Sequence, residues 1–234
     1  MPRTLSSCPL NALLPAKRER RKEARPGELL AAALELFVEK GFAATRVDEV
    51  AQRAGVSKGT LFLYFATKEE LFKAVVRENL SGRFGEWTGE LESFEGTSAE
   101  LLRYCMRSWW ERIGSTPASG IPKLVMSEAK NFPELASFFK TEVIDPADAL
   151  LRRVIKRGVD SGEFRSIDLK YGAYSLLAPM MFISMWKHSL ALCGANRTDL
   201  VPEEFIAAQI DTSLHGILHT AAAGTPPPSL PIAP

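Results

Sequence analysis

The segment GVSKGTLFLYFATKEEL, residues 55–71, limits the possible folds more than any other stretch of the chain. Leu61, Phe62, Leu63, Tyr64 and Phe65 stand in one run, with Ser57, Lys58 and Gly59 before it and Lys68, Glu69 and Glu70 after it. Ser57 is a good N-cap for a helix. Thr67 and Glu70 have the spacing of a capping box, which starts the next helix near Lys68. A helix held between these two caps is too short to bury every side of itself. At helical spacing Leu61 and Phe65 share one face and pack inward on Ala51 and Val56. Lys58, Phe62 and, less squarely, Leu63 and Tyr64 lie on or beside the opposite side. The segment therefore turns aromatic side chains outward, next to a lysine and a glycine.

The residues upstream give this outward face a purpose. Pro26 suits a first helical turn. Leu30, Ala33, Leu34, Phe37 and Val38 then recur at helical spacing, and Gly41 ends that helix. In the next short helix Val47, Val50, Ala51 and Ala54 form the inner stripe. Thr45 is expected to cap it, with Asp48 as its capping-box partner. Gly55 can take positive φ at its end, and Val56 plugs the core. Short helix, glycine turn and short helix make a helix-turn-helix, whose second helix enters the major groove of DNA N-terminal residues first. Gly59 lets the backbone come close to DNA, and free N–H groups at residues 57–60 favour a phosphate. The outward aromatics are then a DNA-reading face.

The charge distribution agrees. The net charge of the 234-residue chain is +1, yet residues 1–73 carry 13 Lys/Arg against 9 Asp/Glu and the remainder 16 against 19. A basic N-terminal part on a mildly acidic body suits a polyanion partner for the first part only. Residues 1–25, with AKRERRKEAR, read as a disordered basic arm, either a solvated tail or a segment that reaches DNA. Cys8, Cys105 and Cys193 show neither metal spacing nor a disulfide framework, so free thiols in a reducing cytoplasm are expected.

Beyond residue 77 the chain continues as helices. Segments 98–113, 120–131, 132–164 (with a kink or break at Pro146), 168–192 and 202–223 carry helical apolar stripes, and the Pro-rich tail 224–234 cannot continue a helix. No segment alternates with the period of a strand, so the expected fold is all-α. The apolar run 171–186 is shorter than a membrane span needs and contains Pro179. It reads as a buried or partner-facing helix.

GELLAAALELFVEKGFAATRVDEVAQRAGVSKGTLFLYFATKEELFKAVV, residues 27–76, resembles the N-terminal domain of TetR-family transcriptional repressors. The resemblance implies a DNA-binding domain over 26–76 and a helical ligand-binding and dimerisation domain over 77–223. It implies base-edge contacts from Lys58, Gly59, Phe62 and Leu63, near the Ser57 cap, and phosphate contacts from Thr45, Thr60, Tyr64 and Lys68. The family more often carries Tyr where Phe62 stands, so a hydroxyl is lost, and Leu63 offers only apolar contact, as a thymine methyl would receive. It also implies a homodimer formed by the last two long helices, and helix 168–192 is apolar on more sides than one core needs.

For the body, Tyr104, Trp109, Met126, Tyr171 and Tyr174 are the candidate lining of a pocket for a hydrophobic or amphipathic small molecule. His215 and His219 are one helical turn apart without an evident third ligand, so neither a metal nor a cofactor is expected. No HExxH, GxSxG or Gly-rich phosphate loop points to an enzyme. The expected function is a repressor that binds a palindromic operator and is released by its ligand. The alternative is a DNA-binding protein without an effector.

Overall fold

The computed structural model describes residues 25–192 and 200–218. The basic arm, the Pro-rich tail, Cys8, Cys193 and His219 lie outside these residues, except that Arg25 opens the first helix. Eleven α-helices occur among the described residues. The first four are α1 (Arg25–Lys40), α2 (Val47–Arg53), α3 (Lys58–Phe62) and α4 (Lys68–Asn79), then α5 (Phe84–Glu92) and α6 (Ser98–Trp109). They are followed by α7 (Gly120–Glu128), α8 (Pro133–Phe139), α9 (Asp145–Asp160), α10 (Leu169–His188) and α11 (Pro202–Ile217). The only β pairing among the described residues is an isolated antiparallel bridge between Phe164 and Leu218, so the all-α expectation holds.

Local chemistry explains the N-terminal helices. Glu28 and Lys40 sit at the ends of α1 where their charges suit the helix dipole. Gly41, at φ +86°, closes the helix, and its N–H donates to Phe37 O at 2.9 Å. Gly55, at φ +67°, does the same after α2. The cap of α2 departs from the expected one. The helix starts one residue later, Arg46 occupies the cap position, and the Arg46 N–H donates to the Glu49 carboxylate at 3.4 Å. Thr45 instead turns inward.

Two longer segments depart from simple helices. Pro146 does not break the 133–160 segment. A π-helical turn, Lys140–Ile144, precedes it, and the Asp145 N–H reaches Lys140 O, so the backbone bulges and stays helical. Similarly, α6 continues into a π-helical turn, Trp110–Gly114.

Two apolar clusters hold these helices. The first joins α1–α4 to α7 and α8, with Phe37, Phe42 and Phe72 ring to ring at 5.5–5.6 Å and Phe132 on Phe42 at 4.8 Å. The second joins α5, α6, α9, α10 and α11 around Leu101, Leu102, Val154, Ile155 and Ile183. Packing is therefore continuous across residues 76 and 77, where the resemblance implies a boundary. Helix α7 lies between α1 and α10. At its start Gly120 touches Val38 and His188, and at its end Glu128 Oε1 accepts the Ala43 N–H at 3.0 Å. Among the described residues no helix is long and apolar enough to cross a membrane.

Candidate nucleic-acid interface and effector cavity

Helix α3 is held by its own cap and by one buried side chain. Ser57 Oγ accepts the Thr60 N–H at 3.1 Å, and the two hydroxyls lie 2.9 Å apart. Leu61 is fully buried and joins Ala51, Val56 and Phe65 in the first cluster. On the other side Phe62 is 42% exposed, Tyr64 39% and Leu63 84%. Lys58 and Gly59 are exposed beside them. Lys58 Nζ stands 5.9 Å from the centre of the Phe62 ring. The structure thus brings Ser57, Lys58, Gly59, Phe62, Leu63 and Tyr64 onto one outward surface. It does not leave all the N–H groups of residues 57–60 open, because Ser57 takes that of Thr60.

Two residues expected to bind phosphates do other work. Thr45 is 1% exposed, and its hydroxyl points at the carbonyls of Gly41 (2.7 Å) and Leu36 (3.1 Å). It ties the α1–α2 turn to α1 and cannot offer that hydroxyl to DNA. Lys68 Nζ donates to the carbonyls of Phe42 (2.8 Å), Thr45 (3.1 Å) and Ala43 (3.2 Å), and lies 4.5 Å over the Phe42 ring. All three ammonium donors face backbone. Partial burial holds its pKa below the usual lysine value. Lys68 and Glu128 therefore both hold the turn, the one on its carbonyls and the other on the Ala43 N–H.

A basic side chain absent from the sequence-based candidates flanks this surface. Arg46 is well exposed and binds the Asp48 carboxylate through Nε (3.2 Å) and Nη2 (3.1 Å). That bond holds the Asp48 carboxyl below its ordinary value, and Lys58 adds to the effect. Nothing in its spacing marks Arg46, because sequence reasoning gave the cap position to Thr45.

The body contains a narrow apolar cavity of about 60 Å³ between α5, α6, α9 and α10, with Trp87, Leu91, Tyr104, Trp109, Leu150 and Met180 on its walls. Of the expected pocket residues, Tyr104 and Trp109 are there. Met126 is exposed on α7, and Tyr171 and Tyr174 are exposed on the outer side of α10, away from this cavity. The cavity wall also carries a polar group that sequence reasoning missed. Tyr104 donates to Glu90 at 2.9 Å, and Arg112 Nη1 donates to the same carboxylate at 2.8 and 3.1 Å. Tyr104 and Arg112 lie two turns apart on α6 and its π-helical continuation, and Glu90 comes from α5, so only the packing of the two helices brings the carboxylate to them. Trp87 Nε1 is buried with no hydrogen-bond partner. Burial, aided by the Glu90 charge, pushes the Cys105 thiol up to about 11, so it stays protonated and unreactive.

The outer side of α10 presents Tyr171, Tyr174, Phe182 and Met185 at helical spacing, while Ala173, Leu176, Met180 and Ile183 face the core. His215, on α11, is exposed and its Nδ1 lies 2.9 Å from Asp211 O. Among the described residues no group of three or more His, Cys, Asp or Glu side chains could hold a metal ion.

Comparison with known proteins fits this geometry. Residues 29–75 match the family described as bacterial regulatory proteins, tetR family. The repressor KstR2 of Mycobacterium tuberculosis is 30% identical over 154 residues, 63% of this chain and 74% of that protein. Among solved structures, AibR superposes with a TM-score of 0.64 at 20% identity, covering 80% of this chain and 97% of that one. FadR of Bacillus subtilis superposes with a TM-score of 0.56 at 17% identity, covering 81% and 95%. The helix-turn-helix and most of the helical body are matched together, and the chain belongs to the TetR family of bacterial transcriptional regulators.

Proposed function

We propose that the protein is a repressor that binds a palindromic operator as a homodimer and leaves it when a small, mostly apolar molecule enters the α5–α6–α9–α10 cavity. The observation that carries this reading is α3 itself. Leu61 is fully buried while Lys58, Phe62, Leu63 and Tyr64 face outward, the arrangement of a helix that reads the major groove. Residues 26–76 form the DNA-binding part and 77–223 the effector part. Ser57, Lys58, Gly59, Thr60, Phe62, Leu63 and Tyr64 meet DNA, with Arg46 at a phosphate. The protein acts in the cytoplasm, where its operator lies, and no catalytic step is assigned to it.

The effector reading rests on the cavity. Its walls are apolar, and the unpaired Trp87 indole N–H suits a carbonyl oxygen on the ligand. The cavity is smaller than the roughly 300–1,000 Å³ of ordinary ligand pockets, so a ligand would part α5 from α9 and α10. That movement favours one dimer spacing over another only through a difference in ligand affinity between the two. AibR was solved with isovaleryl coenzyme A and operator DNA, and B. subtilis FadR with stearoyl-CoA, which supports trying acyl thioesters first.

Selection of bound sequences from random duplex DNA at near-physiological salt tests the reading. A palindromic consensus is expected. Binding that shows no consensus and vanishes with added salt would leave only non-specific electrostatic attraction. Release of the selected duplex by acyl thioesters or other apolar compounds then tests the effector part. A duplex that no such compound releases would favour a binder without an effector.

A further inference from the structure

Leu63 is the most exposed of the large apolar side chains among the described residues, at 84%. It stands opposite the buried Leu61 on the last turn of α3. One turn before it lies Gly59, where an added Cβ would meet nothing closer than Ser57 Oγ at 3.8 Å. Helical side chains lean toward the N-terminus, so Leu63 leans over bare backbone. Two of the hydroxyls nearby, those of Ser57 and Thr60, are engaged with each other at 2.9 Å, and the Lys58 ammonium sits 5.9 Å from the Phe62 ring. Leu63, the most exposed large side chain of the recognition surface, therefore offers an apolar contact and no hydrogen bond.

The major groove of B-DNA presents one apolar group on its base edges, the C5-methyl of thymine. Given the DNA-binding reading above, on which this step rests, we infer that Leu63 reads a thymine in each operator half-site through that methyl group. Gly59 leaves room for the base edge to approach. Lys58 contributes to the preference at other bases, and Leu63 sets the preference at this base pair.

The test replaces thymine by uracil, which pairs identically and lacks the methyl. The full-length protein selects its operator from random duplexes, and each thymine in the operator is then exchanged in turn. One symmetric thymine per half-site is expected to matter. Its exchange lowers affinity by about 4-fold in one half-site and about 15-fold in both, the effect of one buried methyl group each. Leu63→Ala is expected to bind the thymine and uracil duplexes equally at that position and to keep its other base preferences. Leu63→Met, apolar and of similar reach, is expected to retain the discrimination. An operator in which every thymine tolerates uracil overturns the inference, and so does undiminished discrimination in Leu63→Ala. If Leu63→Ala binds too weakly to measure, discrimination retained by Leu63→Asn, similar in size but polar, overturns it equally. Failure to select any consensus overturns the sequence-specific reading as a whole, a result distinct from a consensus that lacks methyl sensitivity.

Discussion

Lys58 and Lys68 frame the recognition helix, and the structure gives them opposite tasks. Lys58 holds its ammonium at the surface over Phe62, whereas Lys68 directs all three donors at the carbonyls of Phe42, Ala43 and Thr45. Lys58→Ala is expected to weaken operator binding by about 1–3 kcal/mol and to relax the base preference, with little change in Tm. Competition binding against single-base operator variants measures it. Lys68→Ala is expected to lower fold stability by about 1 kcal/mol, because partly buried carbonyls lose their donor. Well below its melting temperature this variant should keep the salt dependence of the parent protein. A salt slope reduced by about one, with Tm unchanged, would return Lys68 to the phosphate contacts. Both lysines stand in the same family-like pattern, so sequence alone could not separate them. The difference arises because the α1–α2 turn folds back under the start of α4. Thr45 carries the same lesson: a threonine before a helix reads as a cap, and only the folded turn shows its hydroxyl spent on Gly41 and Leu36.

Among the elements, α7 makes the most consequential contacts, since it packs against both α1 of the first apolar cluster and α10 of the second. At Gly120 a Cβ would lie 2.6 and 2.9 Å from the Val38 methyls and 3.2 Å from His188 Cε1. Gly120→Ala is expected to cost about 1–3 kcal/mol by overpacking this junction, read as a lower midpoint in urea unfolding. An unchanged midpoint would mean that Val38 can move aside and that the junction is looser than described. The same junction carries a pH dependence. His188 Nε2 lies 2.8 Å from Ser119 Oγ, and that hydroxyl donates to Thr116 O at 2.7 Å, so the imidazole N–H is the donor. Burial, then the charges of Lys187 and Lys123, lower its pKa from 6.5 to about 4. Between those values the unfolded chain binds more protons than the folded one, so this histidine removes stability as pH falls from 6.5 toward 4. His188→Gln is expected to lose less stability than the parent protein across that window, and parallel curves would exclude the effect.

At the scale of the whole molecule, the outer side of α10 is the surface expected to set how two copies meet a palindrome. Tyr171, Tyr174, Phe182 and Met185 are large side chains exposed along that side, and a second copy of the chain is their expected cover. Phe182→Arg is expected to yield monomers in sedimentation experiments and to reduce affinity for a palindromic operator by about 10²-fold or more, since two linked half-sites become independent. A monomer with undiminished affinity would mean that one recognition helix suffices. The expectation that Tyr171 and Tyr174 line the pocket failed for a related reason. Helix α10 is apolar on nearly every side, so periodicity along it does not say which side faces the core.

The sequence by itself determined the all-α class, the helix-turn-helix and the outward face of α3. Those features follow from caps, glycine turns and residues a few positions apart, which act within one or two helices. Tertiary structure alone decided which polar groups remain available to a partner. It placed Thr45 and Lys68 inside the turn, joined Glu90, Tyr104 and Arg112 beside one cavity, and ran a single apolar cluster from the DNA-binding helices into α7 and α8. The physical reason is that a hydrogen bond or a buried ring depends on groups brought together from distant stretches of chain, and local periodicity carries no record of which ones meet.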